Sequence, residues 1–497
     1  MNRLFFVAVI IIPQFAALSA ACAASGRPNV LFIISDDLNT ALSGMGHPEC
    51  RTPNLDQFAK TGVAFSHAFS QFPLCGPSRA SIMTGQYPLT NGVTGNGGTV
   101  DPERITLPRH FANHGYWTAR VSKIYHMGIP GDIIQGTSGR DHAASWHEAH
   151  NIHALETLTP GKAEDFTTPK AVPQFPEQRQ KWLAAKTAGK PYKMSGVARG
   201  QWAVVEVEEK NQQLLADAMT TDKAIELLQS RVDKPAPFFL AVGLVRPHFP
   251  FVSTEGTVSQ YESEKLATPD VPENDHNDIP KQAINSVLEL EKAPLQKVRR
   301  GYYGAVSFMD RQVGRILTEL DRLKLRENTI VVFVSDHGYL LGEHHMWKKS
   351  KLWEEAIRVP LIISTPGRNQ GATCDHFVEL VDLYPTLTEL AGLPAEPGAQ
   401  GKSFVTLLDN PKSPPPRPDA FIQAGSGFSL RSGKWAWMWY PASRKHKQEG
   451  FMLYDLEKDP AQYTNLAEEP EFASIRMQLH KRLNQRIKAA GKSLASE

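Results

Sequence analysis

Only four cysteines stand among the 497 residues. That scarcity excludes a disulfide-stapled scaffold, which needs several bridges in a short chain. Charge of one sign is not in surplus either, since 54 Lys and Arg against 52 Asp and Glu leave a net +2. So balanced a chain excludes a general nucleic-acid glove, and any anion recognition has to be local. Apolar runs of membrane-spanning length are absent, and those present are short. The one at the start, Leu4 to Ile12, is broken by Pro13-Gln14 and is too short to span a bilayer. With Arg3 before it and Ala21-Cys22-Ala23 after it, this run reads as a secretory signal over residues 1–24. It predicts export, periplasmic or secreted, without a stable membrane anchor. Lipid attachment at Cys22 is disfavoured, because Ser19 stands where such a signal wants leucine. Removal of Cys22 leaves Cys50, Cys75 and Cys374, and whether Cys50 and Cys374 pair is open.

What is present is the composition of a globular protein, 41% hydrophobic and 21% charged. The length exceeds one ordinary core and predicts a large domain with a smaller one. Four continuous apolar runs, Asn29–Ser35, Pro237–Val245, Thr329–Ser335 and Val359–Ser364, read as buried parallel strands. Helical patterns lie between them at Thr52–Thr61, Asp222–Arg231 and Gly301–Leu323. Alternation of this kind implies an α/β fold, its sheet covered by helices on both faces. Residues 131–210 show no clear period and read as insertions and loops, as do residues 253–294. The proline tract Pro411–Pro418 is the best linker. Beyond it, aromatic strands at Phe428–Arg431, Lys434–Tyr440 and Gly450–Asp455 and a helix near Glu469–Ala490 predict a small α+β unit. The boundaries drawn are 25–412 for the large domain and 419–497 for the small one.

The chemistry gathers at the ends of the apolar runs. The first ends in Asp36-Asp37, the second leads to Arg246-Pro247-His248, and the third to Asp336-His337-Gly338. Ligands of open α/β sheets collect at the carboxyl ends of strands. Adjacent carboxylates repel unless a cation neutralises them, so Asp36-Asp37 suggests a divalent site, with hard oxygen ligands favouring Ca²⁺ or Mg²⁺. Taken singly, each piece could be a turn or a helix cap. Cys75-Gly76-Pro77-Ser78-Arg79, closed by Thr84-Gly85, adds a further element. Pro77 suits a first helical turn and Gly85 a C-terminal stop, which puts Cys75 at a helix N-terminus that favours negative charge.

Cys75-x-Pro77-Ser78-Arg79 resembles the activation signature of type I sulfatases. With Asn29–Asp37, Thr52–Asp56, Lys123-Ile-Tyr-His126, Phe238–His248, Ser335–Gly338, Leu341–His344, Trp347–Lys349, Val378–Pro385 and Leu453–Pro460, the resemblance spans nearly the whole mature chain. It is nearest to the iduronate-2-sulfatase branch of the alkaline-phosphatase-like superfamily, to which Asp336-His337 points. The fold implied is an alkaline-phosphatase-like mixed sheet sandwiched by helices, with a smaller C-terminal α+β subdomain.

The activity implied is removal of sulfate from a sulfated sugar or glycan. Cys75 would be converted to 3-oxoalanine (formylglycine) by a formylglycine-generating or sulfatase-maturing enzyme. Asp36, Asp37, Asp336 and His337, with residue 75, would hold one Ca²⁺ per chain. Arg79 and Lys123 would stabilise the ionised aldehyde hydrate, His126 would hydrogen-bond its second hydroxyl, and Lys349 would contact the sulfate, with Trp347 as a wall. In the implied cycle a hydrate hydroxyl, deprotonated with help from Asp336, attacks sulfur while His248 protonates the leaving alcohol. His126 then takes the remaining hydroxyl proton and sulfate is expelled. Two positions depart from the family's habit: Ser122 where glycine is frequent, and Arg246 where lysine is. Arg246 either reads a substrate anion or orients its loop through a salt bridge. His344 and His345 read as a packed or exposed loop pair. Two rivals share the scaffold: a phosphate or phosphonate monoester hydrolase and a non-catalytic glycan-binding protein. The complete cysteine signature argues against the first, and the presence of every metal and nucleophile position against the second.

Overall fold

The computed structural model describes residues 26–192, 202–368 and 371–491; the segment read as a secretory signal lies outside them. The main sheet has nine strands: β1 (Asn29–Asp36), β2 (Val63–Phe69), β3 (Trp117–Ser122), β4 (Glu148–His150), β5 (Phe238–Pro247), β6 (Thr329–Ser335), β7 (Arg358–Ser364), β8 (Ala372–Cys374) and β9 (Val378–Glu379). They are ordered β8-β2-β7-β6-β1-β5-β3-β4, and β9 also pairs with β2. From β6 through β1, β5 and β3 to β4, neighbours run parallel. Residues 30–36 of β1 and all ten residues of β5 are buried, as expected of strands covered on both faces.

The run at 359–364 corrects one expectation: β7 lies antiparallel to both β6 and β2. A parallel return requires a crossover of about a dozen residues, usually a long helix. Between β6 and β7 the chain forms only a short hairpin and single helical turns, then comes back alongside. The described residues of 131–210 also form more regular structure than their composition suggests. They contain a helix, Phe175–Thr187, and strands Lys162–Asp165 and Ala203–Val207, which join Phe251–Thr254 in a separate sheet. That helix buries only Phe175 and Trp182, so no apolar stripe marks it in the sequence.

Helix α1 spans Pro53–Ala59 and α2 spans Cys75–Thr84. Every residue of α2 is buried, and Gly85 ends it at φ 63°, a left-handed C-cap suited to glycine. Helix α3 (Ala216–Ser230) and the 31-residue α4 (Lys292–Arg322) cover one face of the sheet. After the proline tract, strands Ala420–Ala424, Gly427–Ser432, Trp435–Tyr440 and Gly450–Asp455 form a four-stranded antiparallel sheet carrying the last helix, Ala473–Ala490. The end of the tract is tied down, because Arg417 is buried against Glu379 and Asp382 of the main unit. None of the described helices is long and apolar enough to cross a membrane.

Candidate active site

Four neighbouring strands, β6, β1, β5 and β3, deliver their carboxyl ends to one place. They bring Asp336-His337, Asp36-Asp37, Arg246–His248 and Lys123–His126 together. Close approach of β3 and β5 is permitted by Gly243, where a Cβ would lie 2.1 Å from the Lys123 carbonyl oxygen. The chain leaving β2 enters α2 directly, so Cys75 opens a helix pointed at the same spot. Asn96 Oδ1 accepts the Gly76 N–H at 2.8 Å, and Ser78 Oγ donates to the Asp336 carbonyl, fixing the helix start to the end of β6.

Cys75 Sγ is fully buried, 3.3 Å from His337 Nε2 and 3.2 Å from Lys349 Nζ. Burial and Asp36 push this thiol up, yet Lys123, Lys349 and His337 outweigh them and hold it below its ordinary value. Arg79 spends its donors inside the protein. Its Nε donates to Asp336 Oδ2 at 2.7 Å, its NH2 to Asp36 Oδ1 at 3.2 Å, and its NH1 to the carbonyls of Lys123 and Ile124. One buried guanidinium thus ties the ends of β1, β3 and β6. Lys123 Nζ pairs with Asp36 Oδ2, and Lys349 Nζ with Asp37 Oδ1.

The two adjacent carboxylates are driven apart. Burial raises Asp36, but Lys123, His248, Arg79 and Lys349 overcome it and hold it well below the usual carboxylate range. At Asp37 burial wins over Lys349 and His337, and the group is pushed up to about 7. Asp37 Oδ2 is buried and has no hydrogen-bond partner. An orphaned carboxylate oxygen among charges is where a cation would bind. The donors fit one: ligand atoms of Asp36, Cys75, Asp336 and His337 lie within 4.8 Å of one another, and so do those of Asp36, Asp37, Cys75 and His248. Three carboxylates and an imidazole suit a hard divalent ion. His337 is oriented for it, since Nδ1 donates to the Gly338 carbonyl at 2.9 Å and turns Nε2 inward. Burial lowers the proton affinity of this ring, but Asp336 and Cys75 lift it to about 9.

His248 Nε2 lies 3.7 Å from Asp37 Oδ2, and its Nδ1 donates to the Phe249 carbonyl. Burial and Lys349 hold this imidazole well below its usual value. His126 is lowered to about 3 by burial and Lys123, and its Nδ1 is buried without a partner. All six residues read as catalytic and all five read as metal ligands therefore converge. Arg246 resolves toward orientation of the loop: it is 2% exposed, pairs with Glu156, and donates through NH1 to the carbonyls of His248 and Pro250. Asp217 supports it by accepting the backbone N–H groups of Val245 and Arg246 at 2.6 and 2.9 Å. Nothing in the sequence marks Glu156 or Asp217, because neither sits in a motif. His344 is packed, bonded to Asp275 at 3.0 Å and stacked on Trp353 at 3.9 Å. Trp347, 1% exposed, donates its indole N–H to the Leu288 carbonyl. Cys50 and Cys374 are both free.

Residues 28–393 match the model of the Sulfatase family. The chain belongs to the sulfatase family, and the enzyme is a sulfuric ester hydrolase. It is 31% identical over 401 residues to a sulfatase of Formosa agariphila, covering 77% of this chain and 73% of that protein. It is 31% identical over 449 residues to the iduronate 2-sulfatase of Homo sapiens, covering 78% of this chain and 75% of that one. Among solved structures, the sulfatase fold recurs in a protein bound to its substrate D-glucosamine-2-N,6-O-disulfate (TM-score 0.69, 22% identity, 95% of this chain and 100% of that one). It recurs also in the phosphonate monoester hydrolase of Agrobacterium radiobacter, with TM-score 0.73 and 22% identity over 93% of this chain and 96% of that one.

Proposed function

We propose that this sulfatase removes sulfate from a sulfated carbohydrate, as its iduronate-2-sulfatase-like motifs suggest, using residue 75 as nucleophile after conversion of the thiol to formylglycine. The observation that carries the reading is the setting of Cys75: the first residue of a buried helix, with Lys349, His337 and the orphaned Asp37 oxygen around its sulfur. Asp36, Asp37, Asp336 and His337 would hold one Ca²⁺ together with residue 75. When bound, that ion supplies neutralisation of the carboxylates and polarises the S–O bonds. The aldehyde supplies a nucleophile that can release sulfate by elimination, which a serine ester cannot.

The remaining residues have separable tasks. Lys349, within reach of both residue 75 and Asp37, binds a sulfate oxygen as a point charge. Lys123 neutralises Asp36 and faces the nucleophile. Arg79, its donors engaged by Asp36 and Asp336, keeps those carboxylates aimed inward. His126 is held neutral and offers a base for a proton on residue 75. His248 keeps its proton on Nδ1 toward Phe249, so Nε2 faces the cleft. The incoming sulfate ester, a monoanion, raises the proton affinity of that nitrogen and lets it serve the departing alcohol. Maturation would require a formylglycine-generating partner, and the N-terminal segment would direct export.

Parallel turnover of an aryl sulfate and an aryl phosphonate, together with intact mass of the Cys75 peptide, tests the proposal. Faster sulfate turnover and a mass about 18 Da below the thiol form are expected, the mass following from the chemistry of replacing a thiol by an aldehyde. Dominant phosphonate turnover would overturn the substrate class, and activity with an unmodified thiol would overturn the nucleophile. Cys75→Ala should lower kcat by more than about 10³-fold while leaving the fold.

A further inference from the structure

The turn that carries Lys349 is bent in a way its sequence does not favour. Lys348 and Ser350 flank it, and both have positive φ, 72° and 68°, without being glycine. Left-handed backbone is unfavourable for a residue with a Cβ and persists only where its surroundings hold it. One restraint is the Ser350 N–H, which donates to the Pro73 carbonyl at 2.8 Å and ties the turn to the segment entering Cys75. Pairing of Trp347 and Lys348 with Leu341 and Leu340 holds the strand before the turn, and on its far side stands Lys351. Its side chain is buried, 1% exposed, and its Nζ donates to the carbonyls of Trp347 at 2.7 Å and Lys349 at 3.2 Å. No ion pair joins it to a carboxylate among the described residues, and burial with Lys348 nearby pushes it down to about 7.

An ammonium buried without a counter-ion is a poor way to fill space, since methionine has similar reach and no desolvation penalty. What hydrocarbon cannot do is bridge two carbonyls on either side of Lys348, closing the turn whose next side chain enters the site. We propose that Lys351 is a positioning residue that staples the Trp347–Lys349 turn and thereby delivers the Lys349 ammonium to Asp37 and residue 75. The proposal rests on the reading of Lys349 as the sulfate ligand.

Three measurements on the mature enzyme test it: kcat/KM on an aryl sulfate, the inhibition constant of inorganic sulfate, and Tm. Lys351→Met is expected to weaken sulfate inhibition and lower kcat/KM tenfold or more. Lys351→Gln, whose amide can still donate to one carbonyl, should recover part of both. In a Lys349→Ala background, Lys351→Met should change residual kcat/KM less than twofold, because its effect acts through the lysine already removed. Wild-type sulfate inhibition in Lys351→Met overturns the proposal, and so does an undiminished loss in the Lys349→Ala background. If Lys351→Met does not accumulate as folded protein, Lys351→Gln in both backgrounds carries the same two outcomes. Wild-type sulfate inhibition in Lys349→Ala alone would instead strike the reading of Lys349.

Discussion

Among the clusters of buried charge in the described residues, two are built to different rules. At the seam between the main unit and the last sheet, Glu379, Asp382 and Asp419 meet Arg417, Arg482 and Arg486. Every carboxylate oxygen there is engaged. Glu379 accepts from Tyr87, Arg417, Arg486 and the Phe421 N–H, Asp382 from Arg417 and the N–H groups of Lys402 and Glu379, and Asp419 from Arg482 and Arg486. Its orphan is a donor, Arg417 Nε. At the strand ends Asp36 and Asp336 are closed in the same way by Arg79 and Lys123, but Asp37 Oδ2 is left open beside Cys75. A network that only joins elements satisfies its acceptors. One that binds a ligand keeps an acceptor unsatisfied and bears the cost of it.

The difference is broken most forcefully by removing one partner from each side. Arg417→Ala strands two buried carboxylates and should cost about 3–5 kcal/mol of stability, the usual penalty for halving a buried pair. Chemical denaturation would show it as a lower midpoint, while kcat per folded molecule should stay near wild type. Asp37→Asn should do the reverse. Turnover falls by about 10²-fold or more, as for loss of a group acting at the reacting centre. Stability of the metal-free protein should fall far less than in Arg417→Ala, because the amide oxygen can still accept from Lys349 and the carboxylate's other oxygen had no partner to lose. A large loss of stability in Asp37→Asn would mean that the open oxygen is satisfied in solution.

A pH series sharpens the same point. Asp37 is raised in the folded protein to about 7 from an unfolded value near 3.8. Over that window the folded state holds a proton that the unfolded chain has released, so ν is larger in the native state and stability falls as pH rises. The metal-free wild type should therefore lose Tm relative to Asp37→Asn between pH 4 and about 7. Calcium should abolish that difference, because a bound cation stabilises the charged form and adds about 2.7 kcal/mol at a hundred times its Kd. If wild type and Asp37→Asn keep a constant gap across the window, Asp37 is not the group that titrates there.

Legibility in the sequence followed the same division. The catalytic network could be read because its members sit at the ends of runs whose apolar continuity betrays buried strands, as at Asn29–Ser35 before Asp36-Asp37. The seam could not. Glu379, Arg417 and Arg486 lie far apart in the chain, and a lone charged residue carries no sign that its partner lies 107 residues away. Trp117–Ser122, the strand beside the sheet's edge that delivers Lys123, is equally illegible, since Thr118, Arg120 and Ser122 break its apolar run although all three are buried. Thr118 is satisfied by Ser145 and His147, and Arg120 by Asp141. Buried polar residues with partners look exposed to any reading that sees only hydropathy.

Ser122 supplies the smallest test. It stands at φ 61° just before Lys123, so the chain turns there through the left-handed region that glycine enters freely. That geometry gives a physical reason for the glycine frequent at this position in the family. Ser122 Oγ is also buried with no hydrogen-bond partner, so the side chain contributes nothing visible to offset the strain. Ser122→Gly removes both liabilities and adds freedom to the unfolded chain. The strain relieved, about 1 kcal/mol, should exceed the entropy lost by a few tenths. A small rise in Tm with unchanged kcat is expected. A fall in kcat would instead mean that the stiff serine holds Lys123 against Asp36, extending the strain of the catalytic network from a carboxylate oxygen to the backbone that carries its cation.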